Sequence, residues 1–99
     1  MRLAIMNNSL HSFLSTDSSA WQDFPVLLSL WYDGHGDWKS AHDQVDQLPG
    51  KSAARIHAYL HRKEGDQWNS DYWYSKAGER RPSVSLEEEW EELVLRFLT

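Results

Sequence analysis

Apolar residues recur along this chain at intervals of three and four, the spacing of helices that bury one stripe and wet the other. Leu3, Met6, Leu10, Phe13 and Leu14 form the first stripe, and Asp17, Ser18 and Ser19 follow as a polar break with capping side chains. A second helix is expected to open at Pro25, whose missing N–H does no harm in a first turn. It runs through Val26, Leu27, Leu30 and Trp31 until Gly34 and Gly36 end it. Asp37 is placed to cap a third helix through Ala41, Val45 and Leu48, which Pro49 and Gly50 terminate. Ser52 is expected to cap a fourth from Ala53 to Glu64, stopped by Gly65. Asp66 caps a fifth that ends at Gly78, and Pro82 bars any continuation. No run of five or more residues alternates at period two, so no strand is predicted.

The last helix, about 86–98, has the clearest start. Ser85 and Glu88 stand at capping-box spacing, and Leu86, Trp90, Leu93, Val94, Phe97 and Leu98 make a stripe that docks on the rest. Glu87, Glu88, Glu89, Glu91 and Glu92 favour the positive end of the helix dipole and are read as a solvated acidic face, with Arg96 toward the other end. The predicted fold class is therefore all-α: one domain over 1–99, with antiparallel helical hairpins at about 25–48 and 52–78 between N- and C-terminal flanking helices.

Composition narrows what such a fold can do. Ninety-nine residues hold one hydrophobic core. The lack of cysteine removes disulfides, thiolate zinc sites, iron–sulfur clusters and cysteine nucleophiles together. A net charge of −5 argues against a non-specific grip on nucleic acid or anionic lipid, which draws on clustered Lys and Arg. The longest apolar run, Phe24 to Tyr32, is broken by Ser29 and is about half of the roughly 20 residues a membrane span needs. Nothing in Met1 to Ser15 reads as a secretion signal, so a cytoplasmic location is expected. Phosphate loops, nucleophile elbows, calcium loops and dinucleotide fingerprints find no support.

The two hairpins are related in sequence. Aligning Gly36-Asp37 with Gly65-Asp66, an offset of 29, pairs Tyr32 with His61, Ser29 with Ala58, Leu28 with His57, Ala41 with Ser70, Val45 with Tyr74 and Leu48 with Ala77. Each unit reads as helix, Gly-Asp turn, helix, with a small residue on each side of the turn. Ala58, Gly65, Asp66, Ser70, Tyr74, Ala77 and Pro82 fall at intervals that resemble the tetratricopeptide repeat; the first unit matches only in part, and the offset is shorter than that family's period. The resemblance implies a short α-solenoid fragment that binds a protein or peptide along a groove. The stretch His57 to Gly78 is also similar to a family of small bacterial proteins with no known activity.

Where the second hairpin departs from that pattern, it carries histidines. His57 and His61 are one turn apart on one helical face, Glu64 lies on its edge, and His42 follows Ala41 on the helix expected to pack against them. HxxxH is a metal-ligand spacing, and a third imidazole with a carboxylate or water would complete a tetrahedral zinc set of His42, His57, His61 and Glu64. Ala58 stands where a zinc protease carries Glu, so that activity is not expected; Glu64 or Asp71 would serve as ligand or base. The alternatives are core histidines bonded to Tyr74, Ser70 or a backbone carbonyl with His42 exposed, or a site for acid–base work or an anion.

Trp68, Tyr72, Trp73 and Tyr74 crowd one helix and cannot all face inward, which makes Trp68 and Tyr72 candidates for an exposed platform. Lys51, Arg55, Arg62 and Lys63 form a basic strip at helical spacing. Two functions follow as expectations. One is a tetratricopeptide-like interaction module whose groove is lined by Arg55, Tyr59 and Arg62 with Trp68 and Tyr72. The other is a metal-binding or histidine-based enzyme or sensor. A homodimer that covers the raw ends of so short an array is a third possibility.

Overall fold

The computed structural model describes the backbone from Arg2 onward and side-chain burial from Ser9 onward. Among these residues there are six α-helices and no strand, an all-α fold: α1 (Arg2–Ser15), α2 (Pro25–Gly34), α3 (Trp38–Val45), α4 (Lys51–Glu64), α5 (Gln67–Ala77) and α6 (Leu86–Leu98). Leu3 and Met6, expected on the first stripe, lie outside the described side chains, whereas Leu10 and Phe13 are buried as that stripe requires. The polar break after α1 holds a single 3-10 turn, Ser18–Trp21, capped by Asp17.

Helices α2 and α3 form one hairpin and α4 and α5 the other, and their turns are built from the same parts. Gly36 and Gly65 adopt φ of 82° and 87°, a conformation that side chains other than glycine's resist. The next residue caps the following helix: Asp37 accepts from Ser40 N–H at 3.0 Å and Asp66 from Asn69 N–H at 3.2 Å. Both hairpins are tied by a buried serine. Ser29 on α2 donates to the Ala41 carbonyl on α3 at 2.7 Å, and Ser70 on α5 donates to the Ala58 carbonyl on α4 at 2.9 Å. Serine and alanine thus exchange helices between the two hairpins.

Two boundaries differ from expectation. Helix α4 starts at Lys51 from Gly50, whose φ of 103° sets the entry, and Ser52 lies inside the helix and does not cap it. Helix α3 stops at Val45, short of Leu48, with Asp46 as its C-cap.

The core lies around α4, which packs against α2, α3, α5 and α6. Leu30, Ile56, Leu60 and Val94 are fully buried there. Helix α6 crosses α1, α2 and α4, and Trp90 donates its indole N–H to the Leu30 carbonyl at 3.0 Å. Gly34 makes that crossing possible. A Cβ at this position would meet Leu14 Cδ2 at 2.6 Å and the Trp90 ring at 2.7 Å.

The solvated reading of the acidic face is corrected at Glu89, which is 0% exposed. Its carboxylate lies 2.7 Å from Arg55 Nη1 and 2.6 Å from Arg62 Nη1, and the Tyr74 hydroxyl donates to it. A second buried carboxylate, Asp33 of α2, accepts from the Tyr59 hydroxyl at 2.6 Å and pairs with Lys63 at 2.8 Å. Each buried acid is therefore met by a tyrosine hydroxyl and at least one cation, which offsets the cost of leaving water. Burial and the neighbouring carboxylates push both phenol pKa values upward, so both tyrosines stay protonated as donors. No helix among the described residues is long and apolar enough to cross a membrane.

Candidate metal centre

Two helices, α3 and α4, contribute the histidine cluster. His57 and His61, one turn apart on α4, stack with ring centroids 4.8 Å apart. His42 comes from α3, edge-on to both rings at 4.7 and 5.2 Å. Its Nε2 is 3.0 Å from Nε2 of His57, an N–H···N contact in which one ring donates and the other accepts. One nitrogen from each of the three rings lies within 4.8 Å of the other two, so the group could hold a metal ion.

Tryptophans wall the cluster on two sides. Trp38 lies one turn before His42 on α3 and stacks on it at 4.9 Å, held in place by donating its indole N–H to the Leu60 carbonyl at 2.8 Å. Trp73 of α5 stacks on His57 at 4.1 Å. His57 is buried, and His42 opens the cluster to solvent, with its side chain 20% exposed.

Burial lowers the pKa of His57 to about 4; His42 and His61 push it the same way, while Asp46 opposes them. At neutral pH this ring is therefore uncharged and keeps a lone pair for a Lewis acid. In a tetrahedral zinc site with Zn–N near 2.0–2.1 Å the nitrogens stand about 3.3 Å apart. The His42–His57 pair must open by about 0.3 Å to reach that spacing, and the wider gaps must close by up to about 1.5 Å.

Glu64 is placed differently from the other three. Its carboxylate is 2.6 Å from Nδ1 of His61, and it groups with His61 and Asp66 apart from the other two rings. A carboxylate held on Nδ1 leaves Nε2 as the free nitrogen of that ring, an arrangement found around metal-bound histidines. Asp71 pairs with Arg81 at 3.2 Å. The bonds proposed to Tyr74 and Ser70 go elsewhere, since Tyr74 serves Glu89 and Ser70 serves Ala58.

The residues expected to line a groove divide. Arg55 and Tyr59 are 5% and 2% exposed, so they face the interior, where Glu89 and Asp33 engage them; Arg62 is half-buried against Glu89 and the Val84 carbonyl. The physical reason is α6, which lies on this side of α4 and presents Glu89 to both guanidiniums. Trp68 and Tyr72 are exposed, at 76% and 43%, and stack on one another with centroids 6.0 Å apart. A cleft of about 580 Å³ lined by Arg62, Asp71, Tyr74, Glu79 and Arg81 contains none of the three histidines. Two of its guanidiniums are already paired, Arg62 with Glu89 and Arg81 with Asp71.

Sequence reasoning missed Trp38, Trp73 and Asp46 as neighbours of the cluster. Trp38 and Asp46 were legible in principle, since each stands four residues from His42 on the same helical stripe. Trp73 comes from another helix and carried no such signal. No protein-family model matches this sequence, and no curated protein or solved structure matches it either.

Proposed function

We propose that this protein binds a divalent transition-metal ion of the zinc class at the seam between its two helical hairpins, through His42, His57 and His61. The observation that carries this reading is the convergence of three imidazole nitrogens within 4.8 Å, one ring from α3 and two from α4. Three supports surround it. His57 is neutral at working pH, Glu64 orients His61, and two indoles hold His42 and His57 in place. Because α3 and α4 belong to different hairpins, the ion would staple one hairpin to the other, and its binding free energy would add to folding stability. The reading is one of binding, and no catalytic step is assigned.

Zinc chloride titrated into metal-stripped protein tests it. The expected result is saturable 1:1 binding with a rise in Tm that His42→Ala abolishes. His42 is the least buried of the three ligands, so its replacement leaves the core intact. An unchanged Tm and no calorimetric signal at low micromolar zinc overturn the proposal.

A tetratricopeptide-like interaction module is the second reading, and the exposed stack of Trp68 on Tyr72 supports it. That platform, on α5, offers a flat aromatic surface to a protein, a peptide or a second copy of the chain. Against a groove on the other side of α4 stands α6, which engages Arg55 and Arg62 through Glu89. Sedimentation of wild type and Trp68→Ala tests self-association through the platform.

A further inference from the structure

We propose that Asp46 is the fourth ligand, so that two facing i,i+4 pairs, His42 with Asp46 on α3 and His57 with His61 on α4, enclose one tetrahedral ion. The inference rests on the metal-binding reading above and specifies the coordination sphere.

Asp46 Oδ1 is 3.9 Å from Nε2 of His42, the nitrogen that also faces His57. The residue is the C-cap of α3, with φ −55° and ψ −44°, and its N–H donates to the His42 carbonyl. Helical geometry is therefore kept through Asp46, which holds its side chain on the stripe of His42. Its other oxygen, Oδ2, lies 3.4 Å from the amide of Gln47, so Oδ1 is the one left for an ion. The side chain is 44% exposed; its carboxylate lies outside the three-ring group whose nitrogens fall within 4.8 Å of one another and would turn inward from His42 to join it.

Charge favours the same assignment. Three neutral imidazoles around a divalent cation would leave both positive charges in a largely dehydrated seam, and one carboxylate removes half of that burden. A set of three nitrogens and one oxygen, with no thiolate in the chain, suits zinc or cobalt(II). It is a poor set for calcium or magnesium, which demand oxygen ligands. Glu64 would remain outside the sphere, bonded to Nδ1 of His61.

Cobalt(II) reports coordination number through its visible d–d bands, which are intense in tetrahedral sites and weak in octahedral ones. Metal-stripped wild type, Asp46→Ala, Asp43→Ala and His42→Ala would each be titrated with cobalt(II) and zinc. Asp43 is the charge control, an exposed carboxylate of α3 paired with Lys39 at 3.0 Å. The expected result is an intense tetrahedral spectrum in wild type and in Asp43→Ala. Asp46→Ala should bind on the order of tenfold or more weakly, with a weaker, altered spectrum. If Asp46→Ala keeps both the affinity and the spectrum of wild type while His42→Ala loses binding, water or another group fills the fourth position; this inference falls and the three-histidine reading stands. If wild type itself binds neither ion, both fall.

Discussion

Arg62 of α4 donates to Glu89 of α6 at 2.6 Å across 27 residues of sequence, and the carboxylate that receives it has no contact with solvent. Arg55, two turns earlier on the same stripe of α4, reaches the same carboxylate. The C-terminal helix is thus held by an apolar stripe and by a buried ionic joint that would be worth little at the surface and is strongly destabilising to break inside.

Replacing Glu89 with Ala should lower the unfolding free energy by about 3–5 kcal/mol, because two guanidiniums and the Tyr74 hydroxyl lose their partner. Glu92→Ala, an exposed glutamate beyond the first turn of the same helix, should change it by less than about 0.5 kcal/mol. Urea midpoints of the two variants decide the matter. Equal midpoints would mean that Glu89 is solvated.

Stability of the metal-free protein should depend on His57 at mildly acidic pH. The groups that face it are His42 and Asp46 from α3 and His61 from its own helix. Its folded pKa of about 4 lies below the ordinary 6.5, so as pH falls the unfolded chain takes up the proton first. The contribution is fully present above pH 6.5 and drains away down to about pH 4, with a total on the order of 3 kcal/mol. Urea midpoints at pH 7.5 and 5.0, measured with chelator present, should separate much less in His57→Leu than in wild type. Parallel separation in the two proteins would show that other groups carry the effect.

Gly34→Ala should destabilise by about 1–3 kcal/mol, since its methyl group must displace Leu14 and the Trp90 ring where α1 and α6 meet α2. Thermal unfolding of this variant reads the loss directly. A gain in Tm, the usual result of removing a helical glycine, would mean that the crossing of α6 is looser than described.

Ser29→Ala and Ser70→Ala remove the buried hydroxyls that tie the two hairpins. Each should cost about 1 kcal/mol. Because each bond lies within its own hairpin, the double variant should equal the sum of the singles within about 0.5 kcal/mol. A difference in cost of more than about twofold would break the correspondence between the two turns.

Much of the local architecture is legible in the order of residues. Asp37, Asp66 and Ser85 cap where their side chains imply, and Gly65 and Gly78 close helices in the left-handed conformation that glycine permits. Pro25 opens α2, and HxxxH puts His57 and His61 on one face. These are short-range consequences of backbone sterics and helical pitch, decided within a turn or two of the residue concerned. Ser52 misled because a serine at the start of a helix and one just before it look alike in sequence. The φ of Gly50 settled which it was.

What the chain order could not decide is which polar side chains go inside. Glu89 looks like its neighbours in an acidic run, and only the placement of α6 on Arg55, Arg62 and Tyr74 makes its burial affordable. The same docking turns Arg55 inward, while Asp33 of α2 receives Tyr59. His42 meets His57 because α3 lies against α4, and Trp73 joins them from α5. Helical periodicity is written by each residue and its near neighbours. Partners 15 to 30 positions apart are chosen by how whole helices pack, since burying a charge is favourable only when every group that must receive it arrives at the same place.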